Sequence, residues 1–103
     1  MHGPEQLGRW SSHESANCGA DTGLLRAGRR YRVIKAFVDF DGDGHPVGEC
    51  WTFLGYSFVP HDDGMSWFVS LDGEREWLVR LQWRAEAQAE VLEHLAEHLA
   101  EDA

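Results

Sequence analysis

The sequence predicts an α+β domain, a bent four-stranded antiparallel meander that curls toward an SH3-like barrel and is packed by a C-terminal amphipathic helix. Three observations predict it. Apolar, β-rich runs recur between Tyr31 and Trp83, separated by turns rich in Asp and Gly. From Ala85 the composition shifts to Ala, Glu, Leu, Gln and His with neither Gly nor Pro, which is helix-forming material. A length of 103 residues suits one domain with one core, and five Trp and five Phe supply the apolar volume that such a core needs. The SH3 comparison is an analogy of shape alone.

Residues 1–23 are mostly small or polar, with Gly, Ser, His, Glu, Asn and Pro among them, show neither a helical nor an alternating period, and read as a flexible leader. Trp10 is the one large aromatic there that could pin the leader to the body, since an indole is costly to leave in water. The single domain is expected over residues 24–103, with Leu24 and Leu25 dropping onto the core before the Gly28 turn. A first strand over about 30–40 and a second over about 49–59 flank the turn Asp39-Phe-Asp41-Gly-Asp43-Gly-His45-Pro46 as a hairpin. Neither face of either strand is wholly polar, so the sheet is covered on both sides by curling or by taking a helix. Gly55 inside the second strand marks a bulge or bend.

A third strand over about 65–71 and a fourth over about 75–83 meet at Asp72-Gly73. A two-residue loop would set Val69 opposite Glu76. Pairing Leu71 with Arg75 instead aligns Met65, Trp67 and Val69 with Leu81, Val79 and Trp77, and register follows the buried pattern, so an odd loop or a bulge is expected. The helix is expected over about 85–101, with Ala85, Ala89, Leu92, Leu95, Ala96 and Leu99 on one stripe and Glu90, Glu93, Glu97 and Glu101 opposite.

Eighteen acidic against nine basic residues give a formal charge of -9, which repels phosphate backbones and excludes nucleic acid as the expected partner. A basic protein partner or a cation suits that charge better. No apolar run is long enough to span a bilayer, so no membrane partner is expected. Cys18 and Cys50, far apart in a chain in which no signal peptide is read, point to free thiols and a cytoplasmic location, with the protein a monomer or homodimer.

The turn Asp39-x-Asp41-x-Asp43-Gly44 matches the first half of a calcium loop, in which carboxylates at alternate positions converge on a hard cation. It nominates Asp39, Asp41, Asp43 and Glu49 as metal ligands. The second half degrades, since Pro46 intrudes, the twelfth place is Cys50, and the flanks read as strands. A hairpin loop in which Asp and Gly satisfy turn geometry is the plainer reading. His94-Leu-Ala-Glu97-His98 matches a zinc-peptidase pattern. Five residues remain after it, too few for a third ligand and a substrate cleft, and both histidines are expected on the wet face of the helix. No serine sits in a nucleophile elbow, and Cys50 has no base beside it in sequence. His61, Asp62 and Asp63 would raise a catalytic reading only beside a deep pocket. Trp51, Trp67, Trp77 and Trp83 read first as core, with any exposed indole a candidate protein anchor.

At Tyr31-Arg-Val33, Phe37-x-Asp39-x-Asp41-Gly42, His45-Pro-x-Gly48-Glu49-x-Trp51-x-Phe53-Leu-Gly55, Phe58-x-Pro60 and Arg80-Leu-Gln-Trp83 the chain resembles a small bacterial family described as a domain of unknown function. The likeness covers about residues 24–83. It implies a mostly antiparallel β domain and brings no activity, cofactor or site residue. The functional expectation is therefore a non-enzymatic protein-interaction module, adaptor or inhibitor-like, with calcium binding through the Asp39 to Glu49 turn as the alternative.

Overall fold

Alternation of apolar and polar side chains decides where the central sheet forms, and short strands from the two ends of the chain extend it at its edges. The computed structural model describes residues 1–12, 17–59 and 64–102. Its strands are β1 (His2–Gln6), β2 (Cys18–Gly19), β3 (Arg30–Val33), β4 (Phe37–Val38), β5 (Gly44–His45), β6 (Cys50–Val59), β7 (Gly64–Ser70) and β8 (Arg75–Gln82), followed by helices α1 (Glu86–Glu93) and α2 (Leu95–His98) and strand β9 (Leu99–Glu101). The main sheet is antiparallel in the order β1-β8-β7-β6-β3-β9, with β2 also on β6, while β4 and β5 form a separate two-stranded ribbon.

The expected four-stranded meander survives as β3-β6-β7-β8 inside a seven-stranded sheet. That sheet does not close into a barrel, because β1 and β9 remain its edges. The first predicted strand breaks after Val33, so the acidic turn belongs to the short β4–β5 hairpin and not to a continuous β3–β6 hairpin. In β6 the register shifts between Phe53 and Gly55, where Gly55 has φ of 155° and the backbone carbonyl of Gly19 would lie 3.0 Å from any Cβ. The bend lets β3 pair with the start of β6 and β2 with its far half. β7 and β8 pair Met65 with Leu81, Trp67 with Val79 and Val69 with Trp77, the register that buries the apolar set.

The core gathers Tyr31, Val33, Trp51, Phe53, Trp67, Val69, Val79 and Leu81 from the sheet, closed by Leu25, Val91, Leu99 and Phe37. Trp51 and Trp67 are fully buried with ring centroids 6.0 Å apart, whereas Trp77 is partly buried and packs against the cluster.

The helix expected over 85–101 is corrected. It breaks at His94 (φ -129°, ψ 50°), restarts as α2, and gives way at Leu99 to extended backbone. Tertiary pairing overrides helix propensity here: β9 adds to the edge of β3, and the amides of Ile34 and Lys35 donate to the carbonyl of His98 that ends α2. The break rotates the two helices out of one stripe, so Val91 and Leu99 are buried while Ala96 is exposed. Residues 2–6 and 18–19, read from sequence as flexible leader, instead pair with β8 and β6. All five residues of β1 are exposed, so backbone pairing holds them and no alternating pattern signals it. No helix among the described residues is long and apolar enough to cross a membrane.

Candidate functional site

The polar centre of the protein is the β4–β5 hairpin and its acidic loop. Asp39 follows β4 and folds the loop onto itself, its Oδ1 accepting the amides of Asp41 at 3.0 Å and Asp43 at 3.1 Å. Its Oδ2 accepts His45 Nε2 at 2.8 Å and the Met1 ammonium at 3.0 Å. His45 lies under the sheet, 1% exposed, with Phe37 stacked on its ring at 4.7 Å. Its other nitrogen, Nδ1, meets Glu49 Oε2 at 2.6 Å, and that same oxygen accepts Trp51 Nε1 at 3.3 Å.

An imidazole whose two nitrogens both face carboxylates must carry both protons to satisfy both contacts. Burial alone would lower the His45 pKa, but the carboxylates of Glu49 and Asp39 outweigh it and raise it. Burial pushes Asp39 up, and the His45 ring, the Met1 ammonium and the Asp43 amide together hold it below its ordinary value. Asp41 is lowered to about 2 chiefly by its hydrogen bonds from Arg80, with His2 Nε2 also 3.1 Å away. Asp43 meets the Met1 ammonium.

The four residues nominated for calcium thus divide. Asp39, Asp41 and Asp43 surround the Met1 ammonium, and Glu49 stands on the far side of the His45 ring. Among the described residues no group of three or more His, Cys, Asp or Glu side chains is arranged to hold a metal ion. His94 and His98 do not share a site either: His94 is exposed, while His98 is 2% exposed, places its ring edge against Phe37 and has Nδ1 3.0 Å from the His94 carbonyl. The expectation of two wet histidines fails at His98 because the break at His94 turns α2 inward. Cys18 and Cys50 are not joined in a disulfide. His61, Asp62 and Asp63 lie outside the described residues.

A second buried charge was not singled out from sequence. Glu76 in β8 is fully buried, and its carboxylate accepts the amides of Gly8 at 2.5 Å, Trp10 at 2.9 Å and Ser11 at 3.1 Å, plus the Ser11 hydroxyl at 2.8 Å. Burial would raise its pKa, and these donors hold it below the ordinary glutamate value. A glutamate amid apolar strand positions was the available signal. For His45 the signal was a histidine with carboxylates six residues before and four after it.

With the fold and the acidic hairpin in view, the chain belongs to a small family of domains of unknown function. The family model, described as a domain of unknown function (DUF3601), matches residues 17–101. The chain is also similar in structure to the integron cassette protein VCH_CASS4 from the mobile metagenome of Vibrio cholerae, at 32% identity and a TM-score of 0.76, covering 82% of this chain and 92% of that one. No curated protein matches it.

Proposed function

We propose that the protein is a non-enzymatic interaction module that binds a protein partner through the β4–β5 hairpin and its flanks. One observation carries this reading. Of the five large hydrophobic side chains exposed among the described residues, Ile34, Val38, Phe40 and Val47 all fall between residues 34 and 47. Val47 is 64% exposed and Val38 53%, so the fold spends apolar surface in water on the very element it clamps from below with His45. A shallow groove of about 360 Å³ runs along the hairpin between Ala36, Val38 and Pro46. Phe40 faces β8 instead, lining a separate hollow with Arg80, whose guanidinium lies 5.5 Å from its ring centre. Apolar anchors with a charged rim suit a protein surface, and the charge of -9 favours a basic one.

The buried histidine supports a structural and not a catalytic role. A general base needs a nitrogen open to substrate, and both nitrogens of His45 are engaged inside the fold. Two cysteines that form no disulfide favour a cytoplasmic setting.

The test is to identify a partner by affinity capture, purify it separately and titrate it against wild type and a Phe40→Asp, Val47→Asp variant. Binding of the purified partner should weaken by about 10-fold or more in the variant while the thermal midpoint is kept. Equal affinity for both proteins removes the hairpin from the interface.

A further inference from the structure

The family match begins at residue 17, so it includes β8 and Glu76 but not β1 or residues 8–11. Within the matched part, β8 would be an edge: its other side is β7, and β1 alone covers the outer side at Arg75, Glu76 and Leu78. A bare edge of that length offers unpaired backbone groups to any extended chain. The fully buried Glu76 carboxylate draws its amide and hydroxyl donors from the N-terminal arm, at Gly8, Trp10 and Ser11. At the other end of the edge, Asp39, Asp41 and Asp43 meet the Met1 ammonium and the His2 imidazole of the same arm.

The arm fills this edge with Met1 packed partly buried on the core and with no side chain of β1 buried. Every residue of β1 is exposed, its register slips between His2 and Glu5, and the β8 backbone presses so close on Gly3 that a Cβ there would lie 2.9 Å from the Glu76 carbonyl. Its affinity comes from main-chain pairing, one carboxylate that collects amides, and charge, which are the elements of strand addition by a peptide.

We propose that the outer edge of β8 is a strand-acceptor site for an extended segment of a partner protein, cationic where it meets Asp39, Asp41 and Asp43, and that the N-terminal arm fills it as a displaceable stand-in. The partner segment pairs along Arg75 to Leu78, then turns so that successive amides point at Glu76. This goes beyond the hairpin patch, shares no test with it, and either can fail alone.

The probe is a labelled synthetic peptide of residues 1–12, titrated against the full-length chain. In a Glu5→Pro, Gln6→Pro variant the arm can no longer pair while the acceptor is untouched. That variant should bind the peptide about 10-fold or more tightly than wild type, whose own arm competes, and adding Glu76→Gln should weaken binding by about 10-fold. A folded arm variant that binds no better than wild type overturns the proposal. Hydrogen exchange on wild type tests it without any substitution: amides of β1, Gly8, Trp10 and Ser11 should exchange at least about 10-fold faster than those of β7, by local opening of the arm. Equal protection overturns it by making the arm part of the cooperative core. A wild-type dimer abolished by the proline pair overturns the heterologous partner, since the acceptor would then serve a second copy of the chain.

Discussion

Replacing His45 by glutamine tests the logic of the hairpin most directly. The imidazolium is 1% exposed and bridges two carboxylates at 2.8 and 2.6 Å, so a neutral amide in its place would leave Asp39 and Glu49 facing one another with no cation between them. Removing one member of a buried ion pair costs about 3–5 kcal/mol. The low end applies, because the Glu49 side chain is 16% exposed and Asp39 keeps the Met1 ammonium. A loss of about 3 kcal/mol lowers the midpoint of a domain this size by about 12–24 °C. The pH dependence follows from two opposite shifts. His45, raised in the fold from 6.5, contributes fully below 6.5 and loses its contribution as pH climbs through the raised value. Asp39, lowered from 3.8, contributes fully above 3.8 and loses its contribution as pH falls through the lowered value. The stability gap between wild type and His45→Gln should therefore be widest between pH 3.8 and 6.5 and narrow on the alkaline side. Urea unfolding of both proteins across pH measures it. A gap below about 1 kcal/mol at pH 6, or one that widens as pH rises past 6.5, refutes the charged clasp.

Glu76→Ala should release the amides of Gly8, Trp10 and Ser11, cost about 1–3 kcal/mol and sharpen the arm resonances in NMR while those of β6 and β7 stay put. Phe53→Ala, at a fully buried position, should cost about 3–5 kcal/mol by chemical denaturation, and a loss under about 1 kcal/mol would contradict its place in the core. Millimolar calcium should leave the amide signals from Asp39 to Glu49 unmoved, because protein donors already take Asp39 and Asp41; saturable shifts there would establish the calcium loop instead.

Where burial governs, local reasoning carried far. Met65, Trp67 and Val69 had to face Leu81, Val79 and Trp77, because the one-residue slip that a two-residue loop imposes would place Glu76 opposite Val69. Gly55 was legible as the bend because a glycine inside a strand marks a bulge, and the register shifts there. The terminal segment was misjudged because its composition favours helix everywhere, while the open edge of β3 competes for Leu99 to Glu101. Residues 2–6 escaped notice because their pairing uses the main chain, which every residue carries and no side-chain pattern records.

The candidate site divides along the same line. Aspartates spaced by glycine announced a tight turn in the chain, and that turn is there. Which cations answer them was not local information: His45 sits in the same hairpin, but Arg80 and Met1 arrive from β8 and the arm, 39 and 42 residues away from the aspartates they meet. By itself, then, the amino-acid order determined the strands of the meander, the register of β7 on β8 and the acidic bend, since these follow from side-chain period and turn chemistry over a few residues. Only the tertiary structure decided which edges are filled, how the last helix ends and which of the protein's own cations the aspartates meet. Those outcomes depend on backbone groups and charges brought together from distant parts of the chain.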